Sequence, residues 1–214
     1  MSDPEILQET EGWFVLDKPA GLHTIARPGD QSQSVQGWLR RYRPELGGLE
    51  ESGLVHRLDH GTSGCLLVAK TPDEHIRLRG RIQEESIRKN YLALVEGELE
   101  NDGRFNLFFT SRYKRSKKVT TRSTGAERDR GRCAWWTLDR DGDRRLIEIE
   151  LLGGGRRHQV RAGFAHLGAP LLGDELYGGE PWRLERPALH AARLRFDGEV
   201  VESPSPFTVT DSRR

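Results

Sequence analysis

The stretch Leu54-Val-His-Arg-Leu-Asp-His-Gly-Thr-Ser-Gly64, followed by Cys65-Leu-Leu-Val-Ala69, joins a polar loop to a short apolar run. Because the apolar run is continuous and follows a glycine, it predicts a short, buried β-strand. The preceding residues predict a loop that carries ionisable side chains and hydroxyl groups. A loop that leads into a buried strand is a common position for catalytic residues.

Asp59 is the candidate reactive group of this loop. The neighbouring cation of Arg57 favours the ionised form of its carboxyl group, and an ionised carboxylate can act as nucleophile, base or metal ligand. A purely structural loop is the alternative interpretation. In that case Asp59 caps a turn, Arg57 pairs at the surface, and the hydroxyls of Thr62 and Ser63 bond the backbone.

Outward from this loop, apolar spacing and turn residues predict grouped strands with few helices. Thr71 is suited to cap a helix, Pro72 fits its first position, and Glu74 completes a capping box, so a helix is expected from there to about Arg88. Strands grouped in this way favour an α+β fold over repeated βαβ units. The other predicted elements are strands over 12–18, 91–95, 134–138, 145–152 and 189–196, and helices over 34–43 and 157–167.

A second polar cluster, Gly153-Gly-Gly-Arg-Arg-His-Gln-Val-Arg161, precedes and opens the last predicted helix. A glycine-rich helix start leaves N–H groups and the positive end of the helix dipole available, which favours phosphate binding. The spacing of Val160, Phe164 and Leu167 directs the apolar face of the helix toward a core. A solvated basic helix face is the alternative interpretation. The cluster has neither a Walker sequence nor a dinucleotide-binding fingerprint.

The chain has 214 residues and a formal net charge of +1, a size that suits one domain with a single core. Two cysteines, Cys65 and Cys133, are too few for a disulfide scaffold and lack metal-ligand spacing, so neither a disulfide framework nor a metal site is expected. No apolar run reaches the ~20 residues of a membrane span. The N-terminus lacks a secretory signal pattern, so a cytoplasmic protein is expected.

The basic arm, residues 104–132, holds ten lysines or arginines and two acidic residues. A localised basic segment on a mildly acidic body favours contact with a polyanion. Tyr113 lies among these cations and is available for stacking on a base. We expect the segment to be irregular, as a mobile arm or a hairpin; a disordered charged loop is the alternative. Its central cations are Arg112, Lys114, Arg115, Lys117, Lys118 and Arg122.

Taken together, these clusters resemble the RluA-type family of RNA pseudouridine synthases. The central segment, residues 56–64, carries the most specific similarity, and Tyr91 lies where the family has its active-site tyrosine. The resemblance runs from about residue 6 to about residue 196, in the family's order. The other matching segments are Lys18-Pro-Ala-Gly-Leu22, 89–97, Gly155-Arg-Arg-His-Gln-Val-Arg161, 166–170, 173–178 and Leu189-His-Ala191.

Two features depart from the family pattern. The third motif usually opens Thr-Gly-Arg-Thr and here is Gly154-Gly155-Arg156-Arg157, which removes two hydroxyls and adds a cation. This change is expected to alter substrate binding more than the reaction itself. The first motif begins by residue 18 and leaves no room for the N-terminal S4 RNA-binding domain that the family often carries. We therefore expect residues 1–214 to form a single, bare catalytic domain.

The resemblance implies an α+β pseudouridine synthase fold, with a mixed, mostly antiparallel central sheet, flanking helices and a central RNA-binding cleft. It also implies isomerisation of uridine in ribosomal or transfer RNA by a monomer that uses no cofactor. The catalytic residues would be Asp59, which reacts near C1′, Arg161, which pairs with Asp59, and Tyr91, which stacks on the flipped base. Arg57 would enter the space that the base leaves. The other residues expected to bind RNA are His56, Thr62, Arg156, His158, Lys114, Arg115, Lys117 and Lys118.

Two other functions remain open. An inactive RNA-binding protein or RNA chaperone would share the basic arm but would not depend on Asp59. A hydrolase would use Asp59 with His56 or His60, although the chain has no nucleophile elbow of the Gly-x-Ser-x-Gly type.

Overall fold

A computed structural model describes residues 2–26, 34–111, 113, 116–153 and 155–212 of the chain. By its internal contacts the chain divides into two compact units. Unit 1 comprises Met1–Ile87 and Ala191–Pro204, and unit 2 comprises Arg88–His190 and Ser205–Arg214. The predicted single catalytic domain and its central cleft stay predictions.

The α+β class is confirmed, because strands dominate the described residues and the helices are few. Every strand pair whose register is described is antiparallel. In chain order the strands and α-helices of the described residues are β1 (Glu5–Glu9), β2 (Trp13–Lys18), α1 (Val35–Tyr42), β3 (Ser63–Ala69), α2 (Pro72–Gln83), β4 (Arg88–Glu96), β5 (Asp102–Thr110), β6 (Thr120–Arg122), β7 (Arg130–Asp141), β8 (Arg144–Leu151), α3 (Gln159–His166), β9 (Leu189–Phe196) and β10 (Glu199–Glu202).

Unit 1 is built on β3, the strand that follows the candidate loop. All of its residues are buried, so the predicted buried strand is confirmed and begins two residues earlier, at Ser63. β3 pairs with β2 so that Lys18 lies opposite Gly64. The strand order in this unit is β1-β2-β3-β9, with β10 paired to β9. An apolar core that includes Trp13, Leu67 and Phe196 packs around these strands.

The helix starts of unit 1 follow their capping residues. The Ser34 side chain accepts the Gly37 N–H at the start of α1, and the Thr71 side chain accepts the Glu74 N–H at the start of α2. The predicted end of α2 near Arg88 is wrong, since the helix ends at Gln83.

A left-handed residue stops α2. Glu85 has φ +60°, and this turn directs the Ser86 N–H to the Arg81 carbonyl at 2.9 Å and the Glu85 N–H to the Ile82 carbonyl at 3.2 Å. These two bonds satisfy the last carbonyls of the helix in the pattern of a Schellman motif. The chain is then extended and Arg88 begins β4.

Unit 2 holds the strand order β4-β8-β7-β5-β6. The strands predicted over 134–138 and 145–152 are confirmed as parts of β7 and β8, which form a hairpin with Asp141 opposite Arg144. Only Gly142 and Asp143 connect them, and Gly142 takes φ +62° in this tight turn. Trp135 is buried and Trp136 is 42% exposed, so the adjacent tryptophans face opposite sides of β7.

The basic arm is more regular than its composition indicated. The prediction of an irregular segment is wrong at both ends, which lie in β5 and β7, while the hairpin alternative is borne out by β5 and β6, with Phe108 opposite Arg122. Phe105, Leu107 and Phe109 are buried at every second position of β5. This alternation is the strand signal that the dense charge obscured. Arg112, Lys114 and Arg115 lie outside the described residues.

The last helix, α3, begins at Gln159 rather than at the predicted Arg157. His158 precedes it in a left-handed conformation with φ +55°, so the regular helix starts only after that residue. Val160 and Phe164 are buried as predicted, and the Phe164 ring makes an edge contact with Trp135, with 5.5 Å between ring centroids.

Replacing Gly64 by alanine is expected to destabilise unit 1. Gly64 has φ +107°, and an added Cβ would stand 2.2 Å from the Ala191 carbonyl oxygen on the neighbouring strand. Steric overlap with backbone and a left-handed conformation both act against the folded state, at a combined cost of about 2–4 kcal/mol. Urea unfolding of the full chain measures the change.

The matched control is Gly80→Ala, inside α2, where an added Cβ meets nothing within 4 Å. This variant should gain about 0.5–1 kcal/mol from helix propensity. A Gly64→Ala protein as stable as the wild type would contradict the predicted backbone clash.

Candidate functional site

In the candidate loop, Asp59 follows an exposed residue and a buried residue. Arg57 is exposed, Leu58 is buried, and Asp59 itself is partly exposed. The Asp59 carbonyl accepts the Thr62 N–H at 3.0 Å, which closes a turn directly after the aspartate. Thr62 is only 2% exposed, so the loop passes into the core immediately before β3.

The backbone on both sides of Asp59 is bonded to the first motif or to Thr24, which follows it. The Thr24 hydroxyl donates to the Leu58 carbonyl at 2.8 Å and accepts the Leu58 N–H at 3.0 Å. On the other side, the His60 carbonyl accepts the Gly21 N–H at 2.8 Å. Residues on either side of the aspartate are therefore tied to residues 18–24, and this fixes the course of the chain at Asp59.

Lys18 lies at the centre of this arrangement and is fully buried. Its ammonium group donates to the carbonyl oxygens of Pro19 at 3.0 Å, Leu22 at 2.8 Å and His60 at 3.5 Å. A buried charge is tolerated only when polar partners replace water, and the carbonyl dipoles do so here. Lys18 therefore holds the first motif and the candidate loop together.

His56 supports the loop from the opposite end. Its Nε2 accepts the Leu67 N–H at 3.1 Å, so this nitrogen is unprotonated and engaged with β3. The His60 ring packs against the His23 ring, with 4.4 Å between centroids. Among the predicted RNA-binding residues of the loop, Arg57 is the most exposed, and the RNA contacts of His56 and Thr62 stay predictions.

In unit 2, Tyr91 lies on β4 opposite Ile149 of β8 and is 7% exposed. Arg161 lies on α3, and its Nε and one terminal nitrogen donate to the two carboxylate oxygens of Asp174, each at 2.7 Å. Asp174 is 1% exposed, so this is a buried two-point pair that sets the orientation of the guanidinium. The predicted pairing of Arg161 with Asp59 joins residues of the two units and stays a prediction.

Two further predicted RNA-binding residues contact a tyrosine that the sequence did not single out. His158 Nδ1 lies 2.9 Å from the Tyr177 hydroxyl, and the Lys118 ammonium lies 5.2 Å from the Tyr177 ring centre. Asp174 and Tyr177 both belong to the matching segment 173–178. The only sequence signal for them was the position of that segment directly after the third motif.

The start of α3 is less open to phosphate than predicted. The Arg156 N–H donates to the Gln159 side-chain oxygen at 2.8 Å, so this amide is already bonded. The Arg157 guanidinium, which replaces the usual threonine, donates to the Ser116 carbonyl at 2.8 Å and to the Ser111 hydroxyl at 3.1 Å. The added cation therefore contacts the basic arm.

Of the arm's predicted RNA-binding lysines and arginines, Lys117 and Lys118 are exposed, while Lys114 and Arg115 lie outside the described residues. Across the described ranges, no group of three or more His, Cys, Asp or Glu side chains is placed to hold a metal ion. Among the helices in the part of the chain that the structure describes, none has the length and hydrophobicity to cross a membrane.

Lys18→Met is expected to destabilise the protein by at least about 2 kcal/mol, because buried carbonyls lose their donor while the aliphatic volume is kept. Urea unfolding measures this difference. Lys70→Met is the control, since Lys70 bonds Glu9 at the surface and should cost less than about 1 kcal/mol. Equal effects of the two substitutions would show that the Lys18 ammonium does not support the loop.

The chain is similar to curated relatives and to a solved structure. The chain is 32% identical to the ribosomal large subunit pseudouridine synthase D of Nitrosomonas europaea, over 94% of this chain and 62% of that protein. It is 33% identical to the enzyme of the same name from Pseudomonas aeruginosa, over 94% of this chain and 68% of that protein. The chain thus spans roughly two thirds of the length of these relatives.

The solved structure named human RNA pseudouridylate synthase domain containing 1 matches with a TM-score of 0.74 and 26% identity, over 97% of this chain and 86% of that chain. The family model described as RNA pseudouridylate synthase matches residues 12–166. That range contains the first, central and third motifs together with Tyr91. The resemblance predicted from the motifs is confirmed, and the chain belongs to the RNA pseudouridylate synthase family.

Proposed function

We propose that this protein is an RNA pseudouridine synthase that isomerises uridine within RNA. The observation that carries the proposal is the placement of Asp59, whose neighbours on both sides are bonded to residues 18–24 in a chain that belongs to this family. Such anchoring suits a carboxylate that must meet one sugar carbon in a defined geometry, since catalysis depends on accurate positioning.

The reaction moves bonds within a single nucleotide. The C1′–N1 bond breaks, the detached uracil turns, a C5–C1′ bond forms, the C5 proton leaves and N1 takes up a proton. Atoms and electrons balance without an oxidant or a second substrate. Asp59 is the carboxylate proposed to act at C1′, either by addition to the sugar or by assisting formation of a glycal.

Arg161 and Tyr91 are proposed as the other catalytic residues. A guanidinium has five N–H donors, and the bonds to Asp174 use two of them. Arg161 is proposed to pair with Asp59 through a guanidinium whose orientation Asp174 sets. Tyr91 is proposed to stack on the flipped uracil, because a phenol ring offers an aromatic face and a neutral hydroxyl near pH 7.

RNA binding is proposed to involve the arm and the candidate loop. Lys117, Lys118 and Arg57 are exposed cations suited to phosphate or to the space vacated by a flipped base. The relatives named ribosomal large subunit pseudouridine synthase D support ribosomal RNA as the first substrate to test, with transfer RNA as the second. We propose that the enzyme acts as a monomer in the cytoplasm, where both RNAs are found.

The competing functions are separable by chemistry. A hydrolase that uses His56 as its base is disfavoured, because His56 Nε2 already accepts the Leu67 N–H. An RNA-binding protein without activity would retain the arm but would gain nothing from the anchored carboxylate. The role of Asp59 therefore decides between the proposal and this alternative.

Asp59→Asn is expected to abolish release of tritium from RNA that carries [5-³H]uridine, because the amide cannot replace an ionised carboxylate. Ribosomal and transfer RNA transcripts are tested separately, and RNA affinity should stay within about twofold of wild type. Asp73→Asn, an exposed change in the same unit, serves as the control and should keep full activity. Normal turnover by the Asp59 variant would refute the assignment, and inactivity of the wild type on every transcript would favour the RNA-binding alternative.

Replacing both Lys117 and Lys118 by glutamine is expected to weaken RNA binding and flatten its dependence on salt. Each phosphate contact contributes about 0.7–0.9 to the slope of log affinity against log salt, so the slope should fall by roughly 1.5. Fluorescence anisotropy across a salt series measures the slope. Lys70→Gln, outside the arm, should leave it unchanged, and an unchanged slope in the double variant would exclude these lysines as phosphate contacts.

A further inference from the structure

Tyr177 lies where three parts of unit 2 meet: the basic arm, the third motif and the Asp174–Arg161 pair. We propose that Tyr177 is a positioning residue that couples the basic arm to Arg161, with its hydroxyl holding the arm and its ring contacting the guanidinium. The inference rests on the proposed function, since it assigns a role in RNA turnover to a residue outside the proposed catalytic set.

The hydroxyl bonds the returning strand of the arm. The Val119 N–H donates to the Tyr177 hydroxyl oxygen at 2.8 Å, and Val119 directly precedes β6. Val119 is 4% exposed, so water does not readily replace this acceptor. An amide buried without a partner is costly, and the bond therefore fixes where the arm re-enters the sheet.

The same hydroxyl reaches the third motif. His158 Nδ1 lies 2.9 Å from it, just before α3 begins. Burial raises the pKa of the Tyr177 phenol, so the hydroxyl keeps its hydrogen near neutral pH. The oxygen can accept from Val119 while its hydrogen is directed to an unprotonated His158 Nδ1, and one atom thereby joins two chain segments.

The ring contacts the cations. The guanidinium carbon of Arg161 lies 5.2 Å from the ring centre, and the Lys118 ammonium lies at the same distance. Both separations fall within the range of a cation–π attraction. In addition, the Tyr177 N–H donates to the Asp174 carbonyl at 2.9 Å, so the tyrosine belongs to the turn that presents the Asp174 carboxylate to Arg161. Because Lys118 and Arg161 contact the same ring, a movement of Lys118 changes the environment of the Arg161 guanidinium.

Other contacts hold the arm but do not reach Arg161. Arg157 donates to the Ser116 carbonyl, and the Thr121 hydroxyl lies 3.0 Å from His166 Nδ1. Because these contacts persist when Tyr177 changes, loss of its hydroxyl should loosen the arm without releasing it. The hydroxyl and the ring can thus be separated by substitution.

Tyr177→Phe keeps the ring and removes the hydroxyl. In the full chain we expect KM for the RNA substrate to rise about three- to tenfold, the effect of one lost hydrogen bond, with kcat changed by less than about twofold. Tyr177→Leu removes the ring as well, so kcat should fall in addition to the rise in KM. Tyr42→Phe is the control, because Tyr42 is an exposed tyrosine of unit 1 and should leave both constants at wild-type values.

A second measurement does not depend on turnover. Amide hydrogen exchange at Val119 should be faster in Tyr177→Phe than in wild type, while exchange in β4 stays unchanged and shows that the unit is folded. Unchanged exchange at Val119, or an unchanged KM together with unchanged RNA affinity, would overturn the coupling. If the wild type binds RNA without isomerising it, the proposed function fails, and RNA affinity and Val119 exchange still decide the role of Tyr177.

Discussion

The candidate loop depends on the hydrogen bonds that the buried ammonium group of Lys18 makes. This group has no access to water and is stabilised by backbone carbonyls, of which the His60 carbonyl lies directly after Asp59. Thr24 bonds the backbone of Leu58 on the other side. The first motif and Thr24 thus fix the chain on both sides of the carboxylate, so that the side chain of Asp59 is presented from a defined backbone.

In unit 2, contacts between side chains fix the orientation of a candidate residue, as backbone contacts do at Asp59. The Asp174 carboxylate holds Arg161 at two points, and Tyr177 contacts that arginine through its ring and the arm through its hydroxyl. A buried ion pair is tolerated when its geometry is good and its hydrogen bonds are satisfied. The buried pair thus fixes the orientation of the Arg161 guanidinium, which suits the role in positioning that is proposed for it.

The sequence-based predictions were accurate where the residues that determine a feature lie close together in the chain. Capping residues predicted the start of α2 and a continuous apolar run predicted β3, because the causes of both features lie within a few residues. The end of α2 was misplaced because Glu85 adopts a left-handed conformation that is typical of glycine and that a glutamate does not indicate. In the arm, the dense charge obscured the alternation of Phe105, Leu107 and Phe109, which is typical of a strand. Arg157, noted as a departure from the family, contacts the arm, a role that residue type alone does not indicate.

The sequence by itself determined the α+β class, the family and the candidates Asp59, Tyr91 and Arg161, because residue type, spacing and motif order are properties of the chain alone. Only the tertiary structure decided what supports them. Asp174 as the partner of Arg161, Thr24 as the anchor of the loop and Tyr177 as the acceptor of the arm's amide are contacts between residues far apart in sequence. A hydrogen bond requires about 3 Å between two atoms and places no limit on their separation along the chain, so such partners become identifiable only after the chain has folded.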